Sequence, residues 1–212
     1  WSESRGLGDV YKRQNTSKHM PLEKFEYAIK TMREFYKDKR IRMSLTGGEP
    51  FVHPKILDIL SLFKKYKVDE TSIISNGSLP LEKYVKALEY IDNIIFSWHF
   101  EHLRIDHMKS VLLGLKDKAK HTHVHLMYLP GRLDEVKGVV DWLQQNDIQY
   151  IMRRIRPMTN KEGKFNPPGA SGMKFEGFQF GGAEGYYNDA ELDYLNSFTK
   201  AGTNKNNCEL FT

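Results

Sequence analysis

Cysteine is almost absent: 212 residues contain one, Cys208. That excludes an internal disulfide framework, fits a reducing cytoplasm, and excludes any cluster held by several thiolates of these residues. Long apolar runs are lacking too. None approaches the roughly 20 residues that a bilayer-spanning helix needs, so neither a membrane span nor a secretion signal is expected. No one sign of charge dominates. Lys and Arg number 32 against 27 Asp and Glu, a net charge of +5. The basic residues interleave with acidic ones along helical-period stretches (Lys24, Glu26, Lys30, Arg33, Glu34), as on a solvated surface rather than a nucleic-acid footprint. No repeat of fixed period is found. With 40% hydrophobic and 28% charged residues, the chain suits one globular domain, large enough for a core yet short for a closed eight-stranded α/β barrel.

What is present is a βαβα rhythm, which predicts a parallel sheet covered by helices. Leu22, Phe25, Ile29 and Met32 recur at helical spacing behind Pro21, a residue tolerated in a first turn. Strands are expected over Ile41–Leu45, Thr71–Ser75, Asn93–His99, His123–Leu129 and Gln149–Ile155. Helices are expected over Pro54–Tyr66, Leu81–Tyr90, Leu103–Leu115 and Leu133–Gln145. Right-handed crossovers would join them. In such sheets the chemistry sits at the carboxyl ends of the strands, so the residues there are the candidates. After Pro157 the composition changes. Lys161–Gly185 is rich in Gly, Pro and Phe and reads as an extended loop or lid, followed by a short helix over Asp189–Phe198. Residues 1–14 have no amphipathic period, and Gly8–Gln14 resembles a translated adapter read-through. They are set aside as a non-native leader, the alternative being a natural flexible arm.

The most specific local signal is Leu45-Thr46-Gly47-Gly48-Glu49-Pro50, between the first strand and the next helix. Paired glycines let backbone groups approach a ligand closely, while a carboxylate and a proline fix a rigid turn. A ligand bearing an ammonium group would suit it; an ordinary tight βα turn is the plain alternative. Here the sequence resembles the radical S-adenosylmethionine (radical SAM) superfamily, whose second strand ends in a GGEP motif against the amino group of the SAM methionine. The resemblance covers residues 15–157 and implies an α/β fold, a partial (β/α)6 TIM-like barrel of parallel strands lacking its first strand. It implies that Gly47, Gly48 and Glu49 line the methionine amine and that Pro50 shapes the turn.

Three weaker matches of position follow from the same resemblance. Asn76, in Ser75-Asn76-Gly77-Ser78, would face the cofactor, although Asn-Gly alone is only a turn signal. Ser97 and His99 end the next strand, where the family places polar groups against the ribose or carboxylate. Met127 would lie against adenine. Of Arg153 and Arg154, which alternate faces, one could pair with a carboxylate of SAM or of an acidic substrate, and Arg154 is taken as the inward one.

The family also holds a 4Fe-4S cluster through a CxxxCxxC segment, and those ligands are absent here, so no metal-ligating residue is assigned. Cys208 resembles the start of an auxiliary-cluster (SPASM or twitch) region as much as a free structural thiol, and residues 158–212 would be a lid or the beginning of such a region. The implied activity is cleavage of SAM to a 5′-deoxyadenosyl radical that abstracts hydrogen from an unknown substrate. The electron would come from a reductant such as flavodoxin or ferredoxin, and the chain alone would be inactive. Two other readings stay open. One is an unrelated metal-dependent TIM-type barrel enzyme using His99, His102, His107, His121, His123 and His125; the other is a non-catalytic binding module descended from a barrel.

Overall fold

The computed structural model describes residues 19–100, 104–119, 121–154, 158–159, 165–166, 179–180 and 187–200. The chain order is α1 (Leu22–Phe35), β1 (Arg42–Leu45), a 3-10 turn (Pro50–Val52), α2 (Ile56–Lys65), β2 (Glu70–Ser75), α3 (Leu81–Ala87), β3 (Asn93–His99), α4 (Ile105–Leu115), β4 (His121–Tyr128), α5 (Leu133–Gln145) and β5 (Gln149–Arg154). Three two-residue strands follow, β6 (Met158–Thr159), β7 (Phe165–Asn166) and β8 (Gln179–Phe180), then α6 (Asp189–Lys200).

Strands β1 to β5 form one all-parallel sheet in sequential order. Sequential order with right-handed crossovers sends every connecting helix to the same side. The strands record this as alternation. Ile73, Ile94, Phe96, Trp98, Val124, Leu126, Tyr128 and Met152 are fully buried under the helices, while Ile95, Ser97, His99, His123, His125, Met127, Ile151 and Arg153 on the opposite face are half-buried. Helices supply the other half of the core: Leu60 and Phe63 from α2, Tyr84 from α3, Met108 and Leu112 from α4, Val136 and Leu143 from α5. Burying a side chain of that size stabilises the fold by roughly 1.5–3 kcal/mol. This is the α/β partial barrel that the sequence implies.

All five expected strands form, each within two residues of its expected bounds. Two helix starts differ. Glu49 and Pro50 open the 3-10 turn, which delays α2 from Pro54 to Ile56; Arg104 is the N-cap of α4, which therefore begins at Ile105. Between Lys161 and Gly185, read as a loop or lid, β7 and β8 each pair antiparallel with β6. The leader, His102 and Cys208 lie outside the described residues. Among the described residues no helix is long and apolar enough to cross a membrane.

Candidate functional site

The carboxyl ends of β1 and β2 are tied together by one carboxylate. Glu49 is 4% exposed. Its Oε1 accepts from the Phe51 amide at 3.2 Å and from Ser75 Oγ at 3.1 Å, and its Oε2 accepts from the Asn76 amide at 2.7 Å. Ser75 Oγ also lies 3.1 Å from Tyr84 Oη, whose ring packs edge-on against Phe51. Burial pushes the Glu49 carboxyl above its ordinary value, against the opposing pull of the Asn76, Phe51 and Ser75 donors.

The side-chain donor that Glu49 meets, Ser75, lies on the helix-covered side of the sheet. What the turn does present outward is backbone: Thr46, Gly47 and Gly48 are exposed. Gly47 has φ +111°, a conformation that side chains rarely adopt, and a Cβ built there would meet nothing within 4 Å. Open space beside a left-handed glycine in a braced turn can accept a ligand. Pro50 holds the first position of the 3-10 turn.

The next strand end is a second tight turn. Asn76 Oδ1 accepts from the Ser78 amide at 3.0 Å, and Gly77 has φ +72°. A Cβ on Gly77 would approach Met108 Cε, the end of a flexible side chain, to 2.2 Å, so it is the positive φ that requires glycine there.

Ser97, His99 and Met127 share the face opposite the helices, as parallel register dictates. Ser97 pairs with His125 and His99 with Met127. Continuing into β5, Met127 pairs with Arg153, whereas Arg154 holds the register position of Tyr128, a residue of the helix-covered face. Arg153 thus shares the row of His99 and Met127. His123 and His125, which sequence reasoning considered only as metal ligands, sit on this face with ring centroids 5.4 Å apart. Burial first, then the positive charge of Arg153 and then His123, depress the His125 pKa to about 4, so its ring is neutral at pH 7. Strand parity around Ser97 and Met127 was the signal that could have found it.

Among the described residues no group of three or more His, Cys, Asp or Glu could hold a metal ion. His107 Nε2 instead lies 2.9 Å from the Leu79 carbonyl oxygen. Beyond β4, Glu191 of α6 is 2% exposed and accepts from Tyr128 Oη at 3.0 Å and from the Gly131 amide at 2.5 Å. Sequence reasoning did not single it out.

No family model matches the chain. Its sequence is similar to that of the S-adenosylmethionine-dependent nucleotide dehydratase RSAD2 of Siniperca chuatsi, with 25% identity over 76% of this chain and 42% of that protein. It is similar also to 7-carboxy-7-deazaguanine synthase of Clostridium acetobutylicum, with 23% identity over 62% of this chain and 72% of that protein. In fold it is similar to Streptococcus suis SuiB bound to S-adenosylmethionine, with a TM-score of 0.57 at 18% identity over 86% of this chain and 39% of SuiB. The same protein bound to its precursor peptide SuiA gives 0.58. The chain spans about two fifths of the length of RSAD2 and of SuiB.

Proposed function

We propose, from the premise that this chain carries a radical SAM core, that it binds S-adenosylmethionine across the carboxyl ends of its strands, with the methionine end at the Gly47–Gly48 turn. The observation that carries this reading is the braced, outward-facing turn itself: a left-handed glycine with open space beside it, anchored by a buried carboxylate to the start of the next turn. In that arrangement backbone groups at Gly47 and Gly48 receive the amine, while Glu49 acts through the turn as a positioning residue. Asn76, Ser97, His99 and Met127 extend the surface along which the nucleoside would lie. Bound there and reduced by one electron, S-adenosylmethionine would supply a 5′-deoxyadenosyl radical that abstracts hydrogen from substrate.

A 4Fe-4S cluster does not fit the donors of these 212 residues, because one cysteine cannot provide three thiolates. The cluster ligands would belong to sequence beyond the residues given, as would contacts with a reductant such as flavodoxin or ferredoxin. The chain by itself is expected to bind the cofactor without cleaving it. Equilibrium dialysis with radiolabelled S-adenosylmethionine tests the reading: saturable one-to-one binding, weakened at least about tenfold in Gly47→Ala, supports it. Absence of binding by a folded chain overturns it.

A further inference from the structure

Helix α3 sends one side chain to the carboxyl ends of β1 and β2. Tyr84 is 0% exposed, and its ring stands edge-on to Phe51 of the 3-10 turn and to Phe96 of β3, with centroids 5.1 and 5.2 Å away. Its hydroxyl lies 3.1 Å from Ser75 Oγ and accepts from the Leu79 amide at 3.1 Å. Ser75 Oγ in turn reaches both oxygens of Glu49, at 3.1 and 3.2 Å, and accepts from the Gly77 amide at 3.2 Å.

Counting protons gives this set a direction. An ionised carboxylate only accepts, and a serine hydroxyl has one proton to give. With that proton on the Glu49 side, the bond between Ser75 and Tyr84 is donated by Tyr84. The chain then runs one way, from the Leu79 amide to Tyr84, from Tyr84 to Ser75 and from Ser75 to Glu49. Bonds aligned head to tail in a buried setting polarise one another, so loss of one link weakens the rest. The chain ends on a carboxylate that also accepts from the Phe51 and Asn76 amides. It therefore spans two turns: Glu49 and Phe51 belong to the first, and Ser75 to Leu79 to the second. Each turn contains a glycine at positive φ, Gly47 at +111° and Gly77 at +72°. Glycine has many conformations open to it, so a turn built on one holds a single shape only when something outside braces it.

We propose that Tyr84 is a positioning residue for S-adenosylmethionine, its hydroxyl acting through Ser75 and Glu49 to hold the Gly47–Gly48 turn and the Asn76–Gly77 turn at one fixed spacing. The amino-acid end of the cofactor and its nucleoside then meet partners that are already in place, and less ordering is lost on binding. The proposal rests on the cofactor reading for what the two turns receive.

Tyr84→Phe tests it, because the ring stays between Phe51 and Phe96 and only the hydroxyl goes. Tyr128→Phe is the control: it also removes a buried tyrosine hydroxyl, bonded at 3.0 Å to Glu191, but away from both turns. In equilibrium dialysis Tyr84→Phe should raise the Kd for S-adenosylmethionine about tenfold, while Tyr128→Phe stays within about twofold of wild type. Amide hydrogen exchange of the whole chain without cofactor supplies the second readout. Exchange should quicken at Phe51 and Asn76, whose amides bond Glu49 and not Tyr84, while the amides of α5 keep their rates. Ser75→Ala breaks the same relay at its centre and should reproduce both effects, which keeps the proposal open to refutation if Tyr84→Phe does not fold. Equal loss of affinity in the Tyr84 and Tyr128 variants, unchanged affinity in Tyr84→Phe, faster exchange confined to Leu79, or faster exchange throughout the chain each overturns it. Failure of wild type to bind the cofactor counts against the proposed function instead, and the exchange pattern still decides whether the relay couples the two turns.

Discussion

Glu49 braces its turn from within the protein. A carboxylate with 4% exposure and donors from Phe51, Ser75 and Asn76 is costly to alter, because each donor left unpartnered in the interior costs about 1–3 kcal/mol. Glu49→Gln retains one acceptor oxygen and turns an NH2 group against existing donors. It should lower stability in urea denaturation by about 1–3 kcal/mol and weaken S-adenosylmethionine binding through a loosened turn. Unchanged stability would mean that the carboxylate is solvated. His125 sets a pH dependence of opposite chemical sense. Its folded pKa, about 4, lies below the ordinary 6.5, so the unfolded chain takes up the proton first as pH falls. The stability it contributes is present above 6.5 and is lost on descent through 4. Allowing for solvent screening of a half-buried ring, that loss is on the order of 1–2 kcal/mol. Wild type minus His125→Gln, measured by urea denaturation at stepped pH, should show the decline over this window and be flat above it.

At the level of elements, α6 is docked by a reciprocal cap. Asn188 Oδ1 accepts from the Glu191 amide and Glu191 Oε2 accepts from the Asn188 amide, both at 2.9 Å, while Glu191 Oε1 reaches Tyr128 and Gly131 at the end of β4. A residue that caps its own helix and also anchors it to a strand couples the two elements. A double-mutant cycle of Tyr128→Phe and Glu191→Gln should return a coupling energy of about 0.5–3 kcal/mol in denaturant unfolding; additivity would mean that the two groups act independently. The spacing of Asn188 and Glu191 announces the cap, yet nothing local announces a partner some sixty positions earlier. Much else was legible for a local reason. The helical period of Leu22, Phe25 and Ile29 and the β-rich runs at Asn93 and Gln149 carry their own structure, so the order of elements and the parallel sheet followed. Strand parity turns on a single residue, so which of Arg153 and Arg154 shares the row of Met127 is fixed only by register. Strands β6 to β8, two residues each, exist by pairing rather than by pattern. The direction of Glu49 was hidden because a motif in the backbone says nothing about the side-chain torsions that follow it.

For the whole molecule, cofactor binding and folding are one linked equilibrium. If S-adenosylmethionine occupies the ends of β1 to β4, it binds a surface that exists only when those strands are assembled, so the folded state gains RT ln(1 + [L]/Kd), about 2.7 kcal/mol at one hundred times Kd. The thermal midpoint should rise with cofactor concentration without a plateau at one equivalent. Gly47→Ala should lose most of that rise: its Cβ would meet no atom of the protein within 4 Å, but at φ +111° the substitution strains the turn, so the midpoint without cofactor should fall as well. Gly77→Ala should lower the midpoint without cofactor too: its backbone sits at φ +72° and its Cβ would press on the flexible end of Met108. Incubated anaerobically with iron, sulfide, dithionite and the cofactor, these 212 residues should release no 5′-deoxyadenosine, because the electron has no thiolate-held cluster to pass through. Chromatographic detection of stoichiometric 5′-deoxyadenosine from this chain alone would require cluster ligands other than cysteine, and would move the catalytic centre onto the histidines of β3 and β4.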